Sequence, residues 1–135
     1  MISVQHRVGR LMEVRFASPF AAADFESLAE DRRRIAASLR GERIVVGDLS
    51  RANVIPPKLA DMLLTRRQGV TEPLRNALLL PGDRPTLSMQ IDRIIRESAN
   101  PHRRAFLARD ALYEWIDEIL TTDEKRRMRE FLTEP

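Results

Sequence analysis

Asp48 is the side chain of this sequence best placed to do chemistry. It follows the apolar run Ile44-Val45-Val46-Gly47 and opens Asp48-Leu49-Ser50, so a carboxylate stands where a strand runs into a loop. A strand-end aspartate can accept a phosphoryl group if an acidic pair nearby holds magnesium and a lysine follows a later strand. Neither companion exists: the segment before the first helix ends Arg15-Phe16-Ala17-Ser18, and no lysine stands directly after Leu80 or Ala108. Two readings of Asp48 remain. Its carboxylate caps its own Asp-Leu-Ser turn by accepting backbone N–H groups, or it contacts a partner.

Other reactive groups are sparse. The absence of cysteine excludes disulfides, thiolate metal sites and a thiol nucleophile. His6 and His102 are the only imidazoles, and their separation fits no zinc motif. Ser18, Ser27, Ser38, Ser88 and Ser98 have no recognisable histidine–acid arrangement around them. Pro81-Gly82-Asp83-Arg84-Pro85 carries one glycine, too few to turn several N–H groups onto a phosphate, and reads as a turn. Lys58 follows Pro56-Pro57 at a helix start, where free N–H groups attract anions. The prolines remove two of those donors, so solvent exposure is the expectation for Lys58. The carboxylates are scattered over helices with no pair to share acid–base work. No enzymatic activity and no cofactor are expected.

Charge says little about partners. Net charge is +3, and Lys58 and Lys125 are the only lysines among 23 basic residues. The clusters Arg32-Arg33-Arg34, Arg66-Arg67, Arg103-Arg104 and Arg126-Arg127 each have acids nearby, the pattern of solvated faces with local ion pairs. Aromatic residues are 5% of the chain and do not interleave with the arginines, so nucleic acid is not an expected partner. No apolar run approaches the roughly 20 residues of a membrane-crossing helix, and MISVQHRVGR lacks a signal peptide's apolar block. A cytoplasmic location is expected.

The elements that hold these residues follow from periodicity. At 135 residues and 43% apolar content, one domain with an aliphatic core is expected. Residues 2–16 alternate apolar and polar on either side of Gly9-Arg10, a hairpin with glycine at the first turn position. Ser18-Pro19 reads as a helix entrance, and Phe25, Leu28, Arg32, Ile35 and Leu39 as one helix face ended by Gly41. The run 43–49 predicts a strand buried on both faces. Pro56-Pro57 opens a helix with Leu59, Met62, Leu63 and Arg66 on one side, ending near Gly69. Residues 76–80 predict a strand, and Thr86 caps a helix carrying Leu87, Ile91, Ile94 and Ile95 that stops by Asn100. Residues 104–108 predict the last strand, Asp110 caps a helix whose apolar stripe includes a core Trp115, and Thr121 with Glu124 forms a capping box for a short final helix. Strands alternating with helices give an α/β fold: a mixed, mainly parallel sheet of about five strands with an N-terminal hairpin, four helices and a short C-terminal helix. The expected organisation is one domain over 1–120 and a helical extension over 121–135.

Three segments carry a family likeness: Ala23-Asp24-Phe25 after the hairpin, Val45-Val46-Gly47-Asp48-Leu49-Ser50, and Arg104-Ala105-Phe106-Leu107-Ala108-Arg109-Asp110-Ala111 with Trp115-Ile116 beyond. Together with the element order they resemble the bacterial STAS domain, and more closely its SpoIIAA-like branch, which shares a fold with lipid-binding relatives. The likeness spans roughly 2–120. In the family's anti-sigma-factor antagonists a kinase phosphorylates a serine of a D-S-S-G motif at the next helix start. Pro56, Pro57 and Lys58 stand at that place here, so the resemblance implies a domain without the phosphorylation switch. Ser50 matches the family's structural serine.

The resemblance implies a regulatory protein–protein interaction module. The contact surface expected is Asp48, Ser50, Asn53, Pro57, Lys58, Asp61 and Met62. The alternative is a small apolar ligand or lipid held between helices 59–63 and 87–95 and the sheet. Met128, Phe131 and Leu132 of the final helix pack on their own domain, on a partner, or on a second copy in a homodimer.

Overall fold

The computed structural model describes residues 1–39, 42–64 and 72–134. The chain forms β1 (Ile2–His6), β2 (Leu11–Ala17), α1 (Ala22–Ser38), β3 (Ile44–Arg51), α2 (Pro57–Leu64), β4 (Arg75–Leu79), α3 (Pro85–Ser98), β5 (Arg103–Phe106), α4 (Arg109–Asp117) and α5 (Thr122–Thr133). The fold is the α/β architecture the periodicity predicts: a five-stranded mixed sheet in the order β1-β2-β3-β4-β5. β1 and β2 are antiparallel, with Ile2 opposite Phe16, and every later pair is parallel. Gly9 supplies the positive φ (55°) that turns the hairpin, and the Leu11 N–H closes the turn on the Val8 carbonyl at 3.1 Å.

Parallel neighbours in sequential order send each crossover helix to the same side of the sheet. The two cores follow from that. Met12, Val14 and Phe16 of β2, Val45 and Leu49 of β3, and Leu78 of β4 face α1, α2 and α3, where Phe25, Leu28, Ile35, Leu59, Leu87, Ile91 and Ile94 are buried. On the opposite face Leu11, Ile44, Val46, Ala77 and Leu79 meet Leu112 and Ile116 of α4 and Met128, Phe131 and Leu132 of α5. The consecutive run Ile44-Val45-Val46 is buried because its alternate side chains enter both cores, as its unbroken apolar pattern predicts.

Several predicted helix ends are corrected. α1 does not start at Ser18-Pro19. Its first turn is closed by Asp24, which accepts from the Ala21 N–H at 2.7 Å, while the Ser18 hydroxyl accepts from the Asn53 N–H at 3.0 Å. Thr86 does not cap α3. Pro85 takes the first helical position, where its missing N–H costs nothing. Asp110 does not cap α4 but lies in its first turn, where its charge faces the helix dipole favourably. The predicted capping box of α5 forms: the Glu124 N–H donates to Thr121 Oγ1 at 3.2 Å, and the Thr121 N–H donates to Glu124 Oε1 at 2.9 Å. The expected terminators Gly41 and Gly69, and Arg66 and Arg67, lie outside the described residues. Trp115 is half-buried at the margin of its core, with the guanidiniums of Arg75 and Arg104 at 4.9 and 5.4 Å from its ring centre.

Candidate functional site

Between the sheet and α1–α3 the first core is incompletely filled. Met12, Val14, Phe16, Val45, Leu49 and Leu78 form the floor of a partly open pocket, and Leu28, Leu63, Ile91 and Ile94 form its roof. Its empty volume is about 730 Å³, the solvent at its opening included. Gly47 lines this space and is closely packed. A Cβ there would come within 2.7 Å of Leu78 Cδ2 and 3.6 Å of the Phe16 ring, so Leu78 would have to shift for any larger residue. Helices 59–63 and 87–95, expected to line a ligand pocket, contribute Leu63 and Ile91 with Ile94, and α1 adds Leu28 and Arg32.

One end of the pocket is polar. Asn76 in β4 stands opposite Arg103 at the start of β5 and opposite Val45 of β3, and Arg43 lies two residues before Val45, just ahead of β3. All three line the pocket, and they are only 3%, 9% and 8% exposed. The Arg103 guanidinium donates from Nη1 to the Leu63 carbonyl at 3.1 Å. Among the described residues, Arg43 Nε and Nη1, Arg103 Nε and Asn76 Oδ1 have no hydrogen-bond partner. Burial pushes both guanidiniums below the usual arginine value, and the Glu72 carboxylate opposes that in each case. A buried donor left unpaired costs about 1–3 kcal/mol, more on a charged group. Arg103 was expected on a solvated face of ion pairs; the structure buries it because β5 brings it against the end of α2. The sequence signal missed here was an arginine at the start of two strands, Arg43 just before β3 and Arg103 at the head of β5.

The expected contact residues divide. Asp48 is 4% exposed: Oδ1 accepts from the Ser50 N–H at 2.9 Å and Oδ2 from Arg15 Nε at 3.2 Å. Its carboxylate therefore caps the Asp-Leu-Ser turn, and it is withdrawn from any contact surface. Ser50 and Met62 are partly buried, while Asn53, Pro57, Lys58 and Asp61 are exposed. Lys58 lies with Nζ 5.6 Å from the ring centre of Phe25. Met128, Phe131 and Leu132 pack on their own sheet at 0%, 3% and 2% exposure.

The other arginine clusters also divide. Arg33 pairs with Glu30 at 3.0 Å and Arg34 with Asp31 at 3.2 Å, as expected of solvated helix faces. Arg127 instead reaches inward and donates to Glu13 of β2, which is 1% exposed. Glu13 and Arg15 alternate with apolar residues and read as an outward strand face, but α5 covers that face. Among the described residues no group of histidine, aspartate and glutamate is arranged to hold a metal ion, and no helix is long and apolar enough to cross a membrane.

No protein-family model matches this chain, and no curated protein is significantly similar to it.

Proposed function

We propose that this chain is a binding domain, without catalysis, whose ligand is a small apolar or amphiphilic molecule held between α1–α3 and the sheet. The observation that carries this reading is the partly open, mainly apolar pocket lined by Gly47, Leu28, Leu63, Ile91 and Ile94. Mainly apolar pockets with a few converging polar groups are the usual form of small-molecule sites. The resemblance to SpoIIAA-like domains implies a regulatory module first and carries an apolar ligand as its alternative. Protein purified from cells and sprayed under native conditions should carry an extractable ligand, and the emptied protein should bind the neutral dye Nile red. A bare protein that also fails to bind the dye would sink this reading.

The second reading is a regulatory module that binds another protein through the loop before α2 and the helix itself. It is favoured by the exposure of Asn53, Pro57, Lys58 and Asp61 around Val54, an apolar residue 50% exposed. Substituting Val54→Asp and Lys58→Glu together should abolish capture of that partner while leaving Nile red binding unchanged.

A further inference from the structure

Resting on the pocket reading, we infer that the ligand is an amphiphile with an anionic head, seated with that head on Arg43, Arg103 and Asn76 and its apolar tail along Val45, Leu78 and Ile91. Most of the pocket's lining is apolar, and Arg43, Asn76 and Arg103 are its buried polar residues. There, three unpartnered nitrogen donors on two guanidiniums stand against one unpartnered acceptor, Asn76 Oδ1. Such an excess of buried donors matches a carboxylate or phosphate, which offers several acceptor oxygens and negative charge. An alcohol or sterol head offers one oxygen and no charge. Planar guanidiniums suit a carboxylate better than a lysine would, because two parallel N–H groups meet two oxygens.

The charges at this end favour the same occupant. Glu72 is the carboxylate that acts on Arg43 and Arg103, and it also accepts from Asn100 Nδ2 at 3.2 Å. Burial disfavours the charge of both guanidiniums, so an anionic head brought against them is favoured. The tail's contribution is hydrophobic, so affinity should rise with chain length until the pocket is full.

Isothermal titration of the ligand-stripped protein with hexanoate, decanoate, decanol and decyl phosphate tests this. Decanoate should bind roughly 10- to 100-fold tighter than decanol, the ratio expected of charged hydrogen bonds. Each methylene between hexanoate and decanoate should tighten binding by roughly fourfold while room remains. The double variant Arg43→Met, Arg103→Met should lose the preference for decanoate yet keep its decanol affinity, which also shows that the pocket still folds. Decyl phosphate binding tighter than decanoate would identify a phosphorylated head and still satisfy the inference. Equal binding of decanol and decanoate to the unaltered protein would overturn the anionic head while leaving the apolar pocket standing. If Nile red, decanol and decanoate all fail to bind, the pocket reading falls as well.

Discussion

Arg127 of α5 donates from Nε and Nη2 to the two carboxylate oxygens of Glu13 in β2, at 2.9 and 2.7 Å. The pair joins the last helix to the second strand across 114 residues of chain. Around it, Arg127 Nη2 also reaches Glu134 at 3.1 Å, Glu134 reaches Arg15 at 3.2 Å, and Arg15 reaches Asp48 at 3.2 Å. The carboxylates hold the Arg127 guanidinium above its ordinary value, with the Glu13 hydrogen bonds the largest cause. Removing Arg127 strands Glu13 in a dry site, whereas Arg127 without Glu13 keeps Glu134 and Glu130. Arg127→Ala should therefore lower unfolding free energy by about 3–5 kcal/mol and Glu13→Ala by less, while Glu13→Leu with Arg127→Met should recover most of the loss. Urea unfolding of the three variants measures this, and a harmless single variant would refute it.

Acid should weaken the attachment of α5. Glu124 is 1% exposed, and burial raises its carboxyl value. Hydrogen bonds from the Thr121 and Arg10 N–H groups and the Arg10 side chain outweigh burial and leave it below its ordinary 4.5. A carboxyl lowered by folding contributes stability that is complete above its unfolded value. That contribution is lost as pH falls through 4.5 toward the lower folded value. Asp24, held down chiefly by the Ala21 N–H, has the same sign. The urea midpoint should thus drop between about pH 6 and about pH 3. Glu124→Gln should show a smaller drop, at the cost of lower stability at neutral pH.

Gly47 lines the pocket between Leu78 and Phe16. A methyl group at this position must push Leu78 aside, so Gly47→Ala should cost about 1–3 kcal/mol as overpacking. Gly47→Val should abolish Nile red binding while the far-ultraviolet circular dichroism stays that of the parent. Retained dye binding in the valine variant would place the dye elsewhere.

Deletion of residues 121–135 should not yield a folded domain. Met128, Phe131 and Leu132 cover Leu11, Ile44 and Val46, which are fully buried in the complete chain. Exposing them removes α5's share of the second core and leaves Glu13 without Arg127. The truncated protein should aggregate or show rapid amide hydrogen exchange throughout the sheet. A monomeric truncation with parent-like exchange would mean that α4 alone suffices on that face.

Asp48 should behave as a structural residue. Asp48→Ala removes acceptors from the Ser50 N–H and from Arg15, and should cost about 1–3 kcal/mol. Thermal unfolding reads the loss. Partner capture weakened without any change in stability would instead return Asp48 to a contact role.

The sequence by itself determined the order of elements, the hairpin at Gly9 and the capping box at Thr121, because these depend on neighbours a few residues apart. Period-two runs and 3.6-residue stripes also marked which side chains of Ile44-Val45-Val46 and of Leu87, Ile91 and Ile94 turn inward. The candidate site was legible only in part: helices 59–63 and 87–95 were recognisable as pocket walls. The tertiary structure alone decided that Arg43, Asn76 and Arg103 line one pocket, since they come from the approach to β3, from β4 and from β5, whose register no local pattern encodes. It alone decided that Glu13 and Arg127 are buried. A polar residue alternating with apolar ones looks solvated until something covers it, and what covers Glu13 is a helix more than a hundred residues further along. Local patterning fixes which way a side chain points; only the closed fold fixes whether water is waiting there.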